Sequence, residues 1–196
     1  MPVSDKNKLI FVHIPKNAGT TITENLDMNS DIGHHFWYYY NRKYPKKWVD
    51  YTTFCVSRNP WDRVVSCYEY ARMENSYWHS VNGKSKEGKH PDYDLLKNMS
   101  FEDCVKILKN NPNALKHQGW KSQHSYVLHG NSIMVDKVLS LENLNEGLLE
   151  LVPNLNNIGH VNKSKDKDYK SYYNDDTKDI VASIYEKDIK LFNYSF

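Results

Sequence analysis

Residues 8–28 read KLIFVHIPKNAGTTITENLDM and change character twice within twenty-one positions. Lys8–Ile14 is short, β-branched and aromatic, the composition of a strand buried on both faces. Pro15 ends it. PKNAGTT is small, polar and glycine-containing, which is turn chemistry, and ITENLDM then predicts a helix. A strand delivered through such a loop to a helix N-terminus sets several backbone N–H groups around the positive end of that helix, where an anion is held. In that frame Gly19 allows the backbone to approach a ligand, Lys16 adds a mobile positive charge, and the hydroxyls of Thr20 and Thr21 can donate to phosphate oxygens. An ordinary strand–turn–helix with a capping threonine fits the segment equally well. The P-loop of ATPases does not: GxxxxGK[ST] is absent, and Lys16 precedes Gly19.

Working outward, Tyr51–Ser57 (YTTFCVS) predicts a second buried strand, and Pro60 suits the first turn of a helix, where a missing N–H costs nothing. Trp61, Val64, Val65, Tyr68 and Ala71 then repeat at i, i+3, i+4 and i+7, one apolar face. Ser100 is placed to cap a helix, with Asp103 in its first turn. Ile133–Leu141 predicts a later strand, and Asn143–Leu151 and Asp175–Phe192 predict closing helices. Strands alternating with helices predict an α/β fold, a central, mainly parallel sheet flanked by helices. At 196 residues, with no repeat and no long linker, residues 1–196 are expected to form one domain. Residues 76–94, polar and carrying Gly83, Gly88 and Pro91, are expected to be a long loop, whose Lys84, Lys86 and Lys89 are solvated or meet an acidic acceptor.

Lys and Arg number 26 against 24 acidic residues, and a net charge of +2 makes no case for nucleic acid or a membrane surface. No run of ~18 apolar residues and no signal-peptide pattern occurs. Cys55, Cys67 and Cys104 are odd in number and lack CxxC spacing, against a disulfide framework or a zinc site. A soluble chain in a reducing cytoplasm is the expectation. The 15 tyrosines suit either sugar-stacking surfaces or a core of large side chains.

CVSRNPWDRVVSCY puts Arg58 at the carboxyl end of the second strand, the ligand-binding edge of an open α/β sheet, and Ser66 two turns into the following helix. Arg58 can clamp a phosphate in a fork, with Ser66 completing the contact. The alternative is a surface pair of Arg58 with Asp62 and a Ser66 that only packs.

FVHIPKNAGTTI resembles the 5′-phosphosulfate loop of the carbohydrate sulfotransferase superfamily, HIPK-x-AGT-[ST], with Thr21 where serine is frequent. The Arg58–Ser66 segment resembles the 3′-phosphate motif of the same family, in the same order along the chain. The resemblance implies a P-loop-NTPase-like fold and 3′-phosphoadenosine 5′-phosphosulfate (PAPS) as co-substrate without a metal. It places Pro15, Lys16, Asn17, Ala18, Gly19, Thr20 and Thr21 on the 5′-phosphosulfate, Arg58 and Ser66 on the 3′-phosphate, and Lys16 also at the bridging oxygen. Asp62 and Arg63 match the motif in structural roles. KSQHSYV resembles the family's glutamine-containing segment, implying substrate contact by Gln123. Asp136–Leu141 with Glu142-Asn143-Leu144 resembles its strand and E-N-L turn. HVNKSKDKDYKSYY resembles its N-x-S segment, implying nucleotide contact by Asn162, Lys163 and Ser164, and YEKDIKLFNYSF resembles its ending. The likeness spans 8–196 and is thin over 76–115.

Transfer to a hydroxyl needs a base, and histidine suits the task near neutral pH. Gly33-His34-His35 lies between the two motifs, where the family often places one, so His34 is the first candidate and His35 the second. His13, on a buried strand, is expected to be a core histidine. His117 and His124, spaced by seven, lack a carboxylate or cysteine partner for metal. The acceptor is expected to be a carbohydrate or other hydroxyl-bearing molecule, while motifs that read only the donor leave O- and N-sulfation open. A non-catalytic nucleotide- or glycan-binding protein and, behind it, a nucleotide kinase are the competing readings. Oligomeric state has no signature in the sequence.

Overall fold

The computed structural model describes residues 2–28, 33–74, 76–81, 84–155 and 168–196. They form two compact units, one from 1–59 and 121–166, the other from 60–120 and 167–196.

The first unit holds the sheet. Strand β1 (Val3–Ser4) runs antiparallel to β2 (Leu9–Phe11), β2 parallel to β3 (Thr52–Ser57), and β3 parallel to β4 (Lys137–Ser140). The order β1-β2-β3-β4 is therefore mixed but mainly parallel. Leu9 through Ile14 are all buried, as a strand covered on both sides requires. Helix α1 (Gly19–Asn25) buries Ile22, which packs with Leu26, Phe11, Phe54, Val56, Leu139 and Leu148, the last from helix Leu144–Leu151. Each such side chain contributes about 1.5–3 kcal/mol by leaving water. Helices α2 (Trp37–Lys43) and α3 (Pro45–Asp50) fill the crossover between β2 and β3.

Residues 133–141 do not form one strand. Ser132–Ile133 pairs antiparallel with Leu128–His129 around Gly130, whose φ of 61° is the left-handed value a tight hairpin turn needs. The main-sheet strand starts only at Lys137 because Asp136 hooks onto the neighbouring strand: its Oδ2 accepts from Thr53 N and Oγ1, both at 2.7 Å. An acidic hook inside an apolar run marks a change of sheet, and apolar periodicity alone does not report it.

In the second unit, helix α4 (Pro60–Ala71) buries Trp61, Val64, Val65, Tyr68 and Ala71, the face its spacing predicted. That face joins Phe101, Cys104, Val105 and Leu108 of helix Phe101–Asn110 and Val181 of helix Asp175–Ile184 in one core. Ser100 caps the middle helix, its Oγ accepting from Asp103 N at 3.1 Å. The expected single helix over Asp175–Phe192 is two, broken at Tyr185, whose ψ of 23° departs from helical geometry. Tyr185 is buried and its hydroxyl donates to Trp120 O at 2.7 Å, so a tertiary contact overrides local propensity. The expected loop over 76–94 is also corrected. Ser76–Val81 and Lys84–Gly88 pair as an antiparallel hairpin, and Tyr93–Leu96 is a helical turn. The overlooked signal is Asn82-Gly83 between the strands, a dipeptide strongly favoured in hairpins.

Asp92 is the polar hub of this unit. It is 1% exposed, and its carboxylate accepts from Lys116 N (2.6 Å), His117 N (3.2 Å) and Trp120 Nε1 (2.9 Å). Asp92→Ala strands the buried indole N–H of Trp120 and two part-buried backbone donors and is expected to cost roughly 3 kcal/mol, read as a lower urea midpoint at unchanged m-value. His117 belongs to this cluster, its ring 4.6 Å from that of His90, whereas His124 lies on the turn Gln123–Tyr126 of the first unit, so the two do not share a helix face. Among the described residues no helix is long and apolar enough to cross a membrane.

Candidate active site

The loop between β2 and α1 holds two non-glycine residues in the left-handed region, Lys16 at φ 70° and Ala18 at φ 57°, with Asn17 between them outside it. Alternation of this kind turns successive N–H groups toward one concave face, an anion-binding nest. Each left-handed residue costs about 1–2 kcal/mol, so the loop must be held by its surroundings.

Side chains from two later segments hold it. Asn17 is fully buried and donates through Nδ2 to Val56 O (2.6 Å) and Gln123 Oε1 (2.7 Å). Gln123, also fully buried, accepts from Arg58 N (3.0 Å) and donates through Nε2 to Arg58 O (2.8 Å). Arg58 closes the ring by donating from its guanidinium to Lys16 O at 3.0 Å. The first motif, the second motif and the glutamine segment are thus one hydrogen-bonded bracket. Asn17 turns its side chain inward, and Gln123, expected at the substrate, is buried between the two motifs.

Gly19 has a reason that the sequence does not display. A Cβ there would lie 1.9 Å from His13 Nε2, so the missing side chain makes room for the imidazole. His13 is buried, as expected, and stacks on Phe11 with ring centroids 5.2 Å apart. Its pKa is held well below the ordinary value, first by burial and then by His34 and Lys16. His34 lies with its ring 4.4 Å from that of His13. His35 turns instead to Tyr39, stacked at 3.8 Å and 18°. The structure therefore separates the doublet, with His34 against His13 and His35 stacked on Tyr39 of α2.

Of the hydroxyls, Thr21 is 3% exposed and Thr20 half-buried. Pro15 is buried behind them. Arg58 is 9% exposed at the carboxyl end of β3, where Asn59 N donates to Glu142 Oε1 at 2.9 Å, the service rendered by the E-N-L turn. Ser66 is half-buried on α4 in the second unit. Asn162, Lys163 and Ser164 lie outside the described residues. The three cysteines are buried and form no disulfide, and burial pushes the Cys55 and Cys104 thiols up to about 12, which removes them as nucleophiles.

A family model described as the sulfotransferase family matches residues 1–195, across both units. The chain belongs to the sulfotransferase family. No curated protein and no solved structure matches it. As a sulfotransferase the chain has a transferase's task, movement of a sulfuryl group to an acceptor. In this sulfotransferase the nest, Lys16, Arg58 and His34 lie in one unit, joined by the Asn17–Gln123 bracket and the His13–His34 contact.

Proposed function

We propose that this sulfotransferase moves a sulfuryl group from PAPS to a hydroxyl of a carbohydrate acceptor, on a fold of the P-loop-like kind. What carries the reading is the coupling of the two motifs: the guanidinium of Arg58 on the carbonyl of Lys16 ties the cation proposed for the 3′-phosphate to the nest proposed for the 5′-phosphosulfate. A nucleotide phosphorylated at both ends needs two anion sites held in fixed relation, and the bracket supplies that relation.

In this reading the backbone of residues 16–19 holds the phosphosulfate. Arg58 meets the 3′-phosphate, and Ser66, Asn162, Lys163 and Ser164 are assigned to the nucleotide by motif. His34 takes the proton of the acceptor hydroxyl as its oxygen forms a bond to sulfur. The bond from sulfur to the bridging oxygen breaks, and its electron pair leaves with 3′-phosphoadenosine 5′-phosphate (PAP), whose growing charge Lys16 stabilises.

The test is calorimetric titration with PAP beside ATP, followed by transfer of radiolabelled sulfate from PAPS to a pool of neutral and uronic-acid oligosaccharides. PAP is expected to bind in the micromolar range or tighter, ATP at least ~30-fold more weakly, and label to appear in the pool. A preference for ATP with magnesium points to a kinase instead. PAP binding without transfer points to a binding protein.

A further inference from the structure

His13 looks like a core residue from its place on β2, yet three pieces of the proposed site converge on it. Its Nε2 fills the space that a side chain at Gly19 would take, its ring lies 4.4 Å from that of His34, and the ammonium of Lys16 acts on it. Phe11 stacks on the imidazole and limits its rotation. His13 Nδ1 is buried and has no hydrogen-bond partner among the described residues. A buried polar atom left in that state costs about 1–3 kcal/mol, and most such atoms in folded proteins have a partner.

Resting on the sulfotransferase reading, we propose that His13 is a positioning residue for His34: its Nδ1 accepts the second N–H of the imidazolium that forms when His34 takes the acceptor's proton. The proton from the acceptor hydroxyl ends on one nitrogen of His34, the other nitrogen donates to His13 Nδ1, and His13 gains no proton. Burial and the neighbouring Lys16 keep His13 neutral, so its lone pair is available throughout the cycle. The role corresponds to that of a carboxylate behind a catalytic histidine, with an uncharged acceptor in its place. It also accounts for glycine at 19, since any larger residue displaces the ring that orients the base.

Two substitutions separate this role from packing. His13→Phe keeps a flat ring against Gly19 and removes the acceptor, whereas His13→Asn keeps an acceptor close to the Nδ1 position. The first readout needs no ligand: titration of the His34 ring by NMR. Among the described residues, His34 and Lys16 bear on His13, while His35 turns to Tyr39. An acceptor favours the cation, so the His34 midpoint is expected to fall by about 0.5 unit in His13→Phe and to stay within about 0.2 unit in His13→Asn. Turnover from PAPS into the oligosaccharide pool is expected to fall about 10-fold in His13→Phe and within about 3-fold in His13→Asn, with PAP affinity preserved within about 3-fold in both. Identical His34 titration in the three folded proteins overturns the positioning role even where PAP binds. Failure of the wild type to bind PAP overturns the sulfotransferase reading instead, and the two failures are thus told apart.

Discussion

Arg58→Ala is expected to weaken PAP binding by at least about 100-fold in calorimetry. Two losses add in this variant. A charge-assisted bond from a guanidinium to phosphate contributes about 1.5–3 kcal/mol, and 1.4 kcal/mol is a factor of ten. The second loss is the hydrogen bond from Arg58 to Lys16 O, which helps hold a residue at φ 70°. Arg58→Lys separates the two, since lysine keeps the charge and loses the planar fork, and an intermediate affinity is expected. The main-chain bonds of Arg58 to Gln123 remain in both variants, so melting temperatures should change little. An unchanged PAP affinity in Arg58→Ala removes the residue from the donor site and leaves it only the loop to support.

His34→Ala is expected to lower turnover by about 100- to 10,000-fold while PAP affinity stays within about 3-fold of wild type. The split follows from the geometry. The bracket is built from Asn17, Gln123, Arg58 and Lys16 while His34 lies against His13, so its loss should remove a proton acceptor and leave the nest standing. His35→Ala, which removes a ring stacked on Tyr39, is expected to change turnover less than about 3-fold. The sign of the pH dependence follows as well. The base works as neutral imidazole, so turnover should fall as the pH drops through the His34 midpoint, and that acid limb should be absent from the small residual rate of His34→Ala. The reverse result, with His35 essential and His34 silent, moves the base to the ring stacked on Tyr39.

These expectations depend on features of unequal legibility. The loop and its strand were readable because Leu9–Ile14 is buried and, His13 apart, apolar and β-forming, while Pro15 and Gly19 mark the turn that leads into the helix. α4 was readable because one face of it enters a core and the 3.6-residue period survives intact. The hairpin of Ser76–Val81 and Lys84–Gly88 was obscured by a polar composition that outweighed the Asn-Gly signal. The breaks at Asp136 and Tyr185 were illegible because each rests on one partner far along the chain, Thr53 for the first and Trp120 for the second.

The candidate site divides in the same way. The residue types at 16, 19, 34, 58 and 66 offer charge, hydroxyls and backbone freedom without any coordinates, because these are properties of single residues, and their order resembles that of the sulfotransferase motifs. The working relations needed the tertiary structure. Asn17 and Gln123 are separated by 106 positions, and Arg58 and Lys16 by 42, yet each pair is hydrogen-bonded. His34 was separated from His35, and His13 joined to the site, only by the way β2 and the segment after α1 come together. The sequence by itself determined which groups are available and which strand and loop present them. Only the fold decided which of them touch, because hydrogen bonds and ring contacts act over a few ångströms of space and take no account of distance along the chain.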